Sequence, residues 1–183
     1  MGLDMYLYLE HYVGGNYEHR NVSGEDINIT INTETDNEEL LHVPLNKVVT
    51  IEESVAYWRK ANHIHNWFMN NTDVTIEDVE SEATLGNLKE LLEVCRQVVD
   101  YWNQKEKIEI VKKDFLDREY KIETVNDTSL FEELLPTIGG FFFGSIDYDQ
   151  GYIDDVEYTI GVIKNELLKD RDEYATYRYY ASW

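Results

Sequence analysis

The sequence predicts an α+β domain with a mainly antiparallel sheet and about three main helices packed on it. Period-two alternation occurs at both ends of the chain, and apolar stripes at helical spacing lie between them. A β-branched segment of mixed charge adds a hairpin pattern. With 183 residues, 43% of them hydrophobic, the chain has material for one core, and a single domain over residues 1–183 is expected.

Leu3, Met5, Leu7 and Leu9 alternate with Asp4, Tyr6, Tyr8 and Glu10, as in a strand with one buried face. Tyr174 to Trp183 alternates in the same way, so the two ends are expected to pair in one sheet. Between Gly14 and Gly24 the chain is polar and rich in Gly and Asn. Ile27, Ile29 and Ile31 then suggest a short strand, followed by the acidic run Glu34 to Glu39. From Thr50 the period changes. Thr50 can cap, Glu52 and Glu53 suit a helix N-terminus, and Val55, Trp58, Asn62, His65 and Phe68 recur at helical spacing, which predicts a helix to about Asn70.

After Ser81, the residues Leu85, Leu88, Leu91, Leu92, Cys95, Val98, Val99 and Trp102 form the stripe of a second, core-facing helix. Lys105 to Val125 reads as a hairpin, its Lys and Arg residues interleaved with Glu and Asp so that cross-strand pairing is favoured over an anion site. A short helix from about Ser129 to Leu135 stops at Pro136, and Gly139 to Gly144 brackets three phenylalanines as a buried strand. The last helix is expected from about Gly151 to Lys169, with Asp154 and Asp155 in its first turn and Lys169 in its last.

Charge excludes some function classes. Lys and Arg number 16 against 37 Asp and Glu, a formal net of −21, which should repel nucleic-acid phosphates and anionic lipid. Basic protein surfaces are the natural macromolecular partners, although an acidic surface also serves solubility alone. The single cysteine, Cys95, can form no intramolecular disulfide, which favours a reducing compartment. Met1 to Leu9 has no basic segment and too short an apolar run for a signal peptide, and no stretch of about 18 apolar residues occurs, so a cytoplasmic location is expected.

Two segments could carry chemistry. Tyr57 to Phe68 gathers Trp58, Arg59, Lys60, Asn62, His63, His65 and Trp67. On a continuous helix Arg59, His63 and Asn66 would share one face, and Trp58, Asn62 and His65 another. His63 and His65 would then point apart and could not chelate one metal. This segment suits a small anion or nucleotide site, with Arg59 and Lys60 on phosphate, a tryptophan on a base and Asn62 or a histidine for orientation or acid–base work. It equally suits a helix that buries its tryptophans in the core. The second segment, Gly139 to Asp155, joins the phenylalanine run with Phe142 to Ser145, Asp147, Asp149, Asp154 and Asp155 at the boundary from a strand to a helix. An EF-hand fails, because its fifth, sixth and twelfth positions would be Gly151, Tyr152 and Tyr158. Asp147 and Asp149 could hold Mg²⁺ beside a phosphate, yet aspartates before a helix read first as caps and turn formers, so no metal or other cofactor is expected. P-loop, GxSxG, HExxH and CxxC patterns are missing, which leaves catalysis without a signature.

The opening Gly2-Leu3-Asp4-Met5-Tyr6-Leu7, the block Tyr57 to Phe68, the runs Leu134 to Pro136 and Gly140 to Ser145, the pair Tyr148-Asp149 and the closing Tyr179 to Trp183 together resemble a family of small proteins encoded by tailed phages and prophages. The resemblance spans most of the chain and is weakest from Glu18 to Asn46. It implies a phage origin and action on host machinery or immunity, and it carries over no catalytic residues.

Two functions follow as expectations. In the first, a phage accessory protein binds and inhibits a basic host nuclease, repair enzyme or immune effector, its acidic runs Glu34 to Glu39, Asp73 to Glu82 and Asp147 to Asp155 imitating nucleic-acid phosphate without contacting nucleic acid itself. In the second, the Tyr57 to Phe68 block and the Gly139 to Asp149 loop bind a small nucleotide ligand, sequestering or cleaving it. The aromatic content of 13% also allows a patch for self-association into a homo-oligomer.

Overall fold

A computed structural model of the chain describes residues 2–12, 50–74, 79–114, 116–169 and 176–183. The expected loop, Ile27 to Ile31 strand and Glu34 to Glu39 turn lie outside the described residues. Ten elements follow in order: β1 (Asp4–Tyr12), β2 (Thr50–Arg59), α1 (Asn62–Asn71), β3 (Glu80–Ala83), α2 (Leu85–Gln104), β4 (Lys107–Lys113), β5 (Glu119–Val125), α3 (Ser129–Leu134), α4 (Gln150–Leu167) and β6 (Thr176–Ser182). This is an α+β fold, and among the described residues no helix is long and apolar enough to cross a membrane.

The main sheet has the order β2-β1-β6-β3, antiparallel throughout, and the two ends of the chain pair as expected, Met5 opposite Ala181 and Leu9 opposite Tyr177. Alternation sorts the strand residues by face. Met5, Leu7, Leu9, Ala56, Trp58, Tyr177, Tyr179 and Ala181 are buried under the helices. On the other face Tyr6 stacks with Tyr8 and meets Tyr57 and Tyr180, while Arg178 pairs with Glu10, Glu52 and Glu80.

One expectation is corrected at β2. Thr50–Arg59 is a strand, and the helix begins only at Asn62. Leu7 pairs with Ala56 and Tyr8 with Ser54, so Val55 is the extra residue of a bulge. The bulge switches the inward parity from Ile51, Glu53 and Val55 to Ala56 and Trp58, and the resulting spacing imitates a helix. Glu52 and Glu53 are ion-pair partners of Arg178, His11 and Lys169 rather than first-turn acids. Trp58 and Arg59 therefore do not share a helix with His63 and His65.

Helix α1 lies on the sheet, its Phe68 ring stacked 4.0 Å from Tyr179. His65 Nδ1 hydrogen-bonds the Tyr179 hydroxyl at 2.8 Å. Helix α2 is opened by a capping box in which the Thr84 side chain accepts from Asn87 N and the Asn87 side chain accepts from Thr84 N. Its stripe packs on α4, and Cys95 is wholly buried, which pushes its thiol well up. Strands β4 and β5 form the expected hairpin, tied by the Lys121–Glu109 pair at 2.6 Å. Gly139 to Gly144 is a loop rather than a buried strand. Phe143 N closes a turn onto Gly140 O at 3.2 Å, and Phe141 is 95% exposed. Asp149 caps α4 by accepting from Tyr152 N at 3.1 Å. Asp154 and Asp155 sit beyond the first turn of that helix, and Lys164, not Lys169, lies in its last.

Candidate functional site

The chain turns sharply between β2 and α1. Lys60 has a φ of 62°, in the left-handed region that non-glycine residues rarely occupy. It is held there from several sides. Its N–H donates to Leu3 O at 2.7 Å, and Gly144, with φ +91°, lies so close that a Cβ there would stand 2.9 Å from Lys60 Cβ. Leu3 N in turn donates to Phe142 O at 3.0 Å, so Phe142 serves this corner through its carbonyl.

Asn62 fastens the 137–147 loop to the corner. Its Nδ2 donates to Phe143 O at 3.0 Å and Ser145 O at 2.7 Å, and its Oδ1 accepts from Ile138 N at 3.0 Å. With the side chain only 1% exposed, these bonds replace water completely. The loop is also pinned from the hairpin. Asp147, itself buried, pairs with Lys112 and accepts from the Tyr120 hydroxyl at 3.0 Å, while its N–H donates to Ser145 Oγ at 3.0 Å.

These connections frame a pocket of about 390 Å³, near the lower end of the roughly 300–1,000 Å³ typical of small-molecule sites. One wall is the β2–α1 corner, with Arg59, Lys60 and His63. The loop contributes Thr137, Ser145, Asp147 and Asp149, and α4 contributes Gly151, Tyr152, Asp154 and Asp155. Six residues singled out in the sequence thus meet in one cavity: Arg59, Lys60, His63, Ser145, Asp147 and Asp149. The other five do not line it. Trp58 is buried and donates its indole N–H to Thr159 Oγ1 at 2.8 Å, Trp67 packs edge-on to Phe68, and His65 belongs to the core beside Tyr179. Asn62 and Phe142 hold the frame. No tryptophan is placed to stack on a base in this pocket.

The electrostatics of the cavity are uneven. Burial holds the His63 imidazole down to about 3, so it is neutral. Its ring lies 4.3 Å from that of Tyr152, and its Nε2 is buried without a hydrogen-bond partner. Burial would raise Asp147, but Lys112, Tyr120 and Ser145 hold it below the usual carboxylate range. Asp155 goes the other way. Burial, then the charges of Asp154 and Asp149, push its carboxyl up to about 6. Arg59 Nε stands 3.9 Å from Asp4, a loose and exposed pair. Among the described residues no cluster of three His, Cys, Asp or Glu side chains is arranged to hold a metal ion.

Thr137, Gly151 and Tyr152 line the pocket without a sequence expectation of a site, whereas Asp154 and Asp155 enter the sequence reading as acids of the strand-to-helix boundary and not as ligand groups. The signal for a deeper role lay in Asp155 itself, a carboxylate three and four residues from Tyr152 and Thr159 on the buried side of α4. No protein-family model, curated protein or solved structure matches this chain.

Proposed function

We propose that this chain binds a small phosphorylated ligand of the nucleotide class in the pocket between the β2–α1 corner and the start of α4. The observation that carries this reading is that two cations and a buried neutral imidazole from the β2–α1 corner line the same cavity as Thr137, Ser145, Tyr152 and four carboxylates from the loop and α4. Arg59 and Lys60 would hold the phosphate, since charge-assisted bonds to phosphate are strong and Arg can make two at once. The strained backbone of Lys60 supports a site here, because such residues persist where their surroundings over-determine them. The function is sequestration: burial holds the His63 imidazole down to about 3, far from the value that suits a general base at neutral pH.

The test is thermal unfolding of the purified protein with GMP, AMP, CMP, UMP and inorganic phosphate, repeated with Arg59→Ala. A ligand at about 100 times Kd stabilises by about 2.7 kcal/mol, which at roughly 2–4 °C per kcal/mol is a rise of about 5–10 °C. Arg59→Ala should lose most of that rise. No rise with any phosphorylated compound would refute the reading.

A net charge of −21 favours a second reading, an acidic phage accessory protein in the host cytoplasm that blocks a basic host factor. Of its acidic runs, Glu34 to Glu39 lies outside the described residues and Asp147 is already paired with Lys112. This reading expects salt-sensitive binding to a basic protein with no response to nucleotides.

A further inference from the structure

Of the four carboxylates that line the pocket, three already have work. Asp147 is paired with Lys112, Asp149 caps α4, and Asp154 accepts from Gln150 Nε2 at 2.7 Å. The Asp155 carboxylate alone has no hydrogen bond or ion pair with any described residue, although the residue is half-buried on the helix face that carries Tyr152, its backbone carbonyl accepting from Thr159 Oγ1 at 2.7 Å. An unpaired carboxylate in such a place is unfavourable unless something supplies donors. The only buried nitrogen of the pocket wall without a partner, His63 Nε2, belongs to the same cavity. The two walls are thus of opposite character: Arg59 and Lys60 at the corner present positive charge, and the α4 wall presents acceptors.

We infer that Asp155 reads the base of the bound nucleotide and selects guanine, the nucleobase whose edge offers two adjacent N–H donors, N1–H and the 2-amino group, to one carboxylate. This rests on the nucleotide reading of the pocket and deepens it. A carboxylate takes two parallel N–H donors as it takes an arginine fork. Adenine presents one amino group beside an acceptor nitrogen that a carboxylate repels, and hypoxanthine retains N1–H but lacks the 2-amino group. Burial and the neighbouring Asp154 and Asp149 leave the Asp155 carboxyl raised to about 6, as expected of a half-buried charge beside other carboxylates.

Isothermal titration with GMP, IMP, AMP and ribose 5-phosphate, on the wild type and on Asp155→Asn, tests this. GMP should bind about tenfold tighter than IMP, the size of one lost charge-assisted hydrogen bond, and tighter still than AMP and ribose 5-phosphate. Asp155→Asn should erase the preference for GMP while leaving ribose 5-phosphate binding unchanged, a separation that a merely structural role would not produce. The substitution removes an unfavourable charge, so the variant should unfold at or above the wild-type temperature. Equal affinity for GMP and ribose 5-phosphate would overturn the inference and leave the phosphate site standing. A guanine preference that survives in Asp155→Asn would remove Asp155 as the reader. Binding of none of the four would overturn the nucleotide reading itself.

Discussion

Lowering the pH from 7 to 5 should destabilise this protein through two buried histidines. Burial holds His63 down to about 3 and His65 to about 4, against 6.5 for an imidazole in water. Below 6.5 the unfolded chain takes up protons that the folded chain refuses, so stability is full above that value and falls as the pH drops towards about 4. At about 1.4 kcal/mol per pH unit for each fully titrating site, each histidine removes about 2 kcal/mol between pH 7 and 5. Asp155 opposes them. Its folded carboxyl, raised to about 6, holds a proton that the unfolded chain releases down to 3.8, so it adds stability as the pH falls. Discounted for its partial exposure, that offset is about 1 kcal/mol. The net loss is then about 3 kcal/mol, measurable by urea denaturation at the two pH values. In His63→Phe, which keeps a ring against Tyr152 and removes one titrating site, the loss should fall to about 1 kcal/mol. Stability that is unchanged or higher at pH 5, or a loss that is the same in His63→Phe, would refute the reasoning.

Three further outcomes are expected. Lys60→Gly relieves the left-handed backbone, so stability should hold or rise by up to about 1 kcal/mol, while affinity for GMP falls about tenfold; a matched loss of stability would make Lys60 purely structural. Asn62→Ala removes three buried hydrogen bonds and should cost about 2–4 kcal/mol in denaturant unfolding, at about 1 kcal/mol each, with faster hydrogen exchange at the Ile138 amide. Trp58→Phe leaves Thr159 without the indole donor and should cost about 1 kcal/mol with GMP affinity unchanged, because Trp58 lies outside the pocket; altered affinity would show that the core and the site are coupled.

Much of the fold was legible because single elements carried clean periods. Leu3 to Leu9 and Tyr177 to Ala181 alternate without interruption, and the α2 stripe from Leu88 to Trp102 is long enough to leave no ambiguity. Strand β2 failed where its bulge at Val55 broke the alternation and Trp58 fell into step with the helix that follows. The start of α1 gave little local signal, since Ala61 makes no side-chain cap and the first turn holds no acidic residue. The phenylalanine run at 141–143 failed for another reason: among the described residues it pairs with no strand, its one bond towards the sheet being Leu3 N to Phe142 O, and Phe141 is exposed.

For the site, composition found the corner and the loop but not how they meet. Arg59, Lys60 and His63 were visible as cations and an imidazole against an acidic background, and Asp147 and Asp149 as carboxylates before a helix. Asn62 was read as a ligand group, and only the tertiary path shows that its amide is committed to the 138–145 backbone. Asp155 is visible in the sequence as an acid of the strand-to-helix boundary, but a helix-borne carboxylate reads as a solvated, dipole-matching residue until the wall opposite it is known.

The most direct test of the central claim is a nuclear magnetic resonance footprint of GMP on the labelled protein, following backbone amides and the His63 imidazole. The expected result is that the largest shifts fall on Arg59, Lys60, His63 and residues 145–155, with the outer tyrosine face of the sheet and the β4–β5 tip unmoved. Shifts centred on that sheet face or the hairpin tip, or none at saturating GMP, would contradict it.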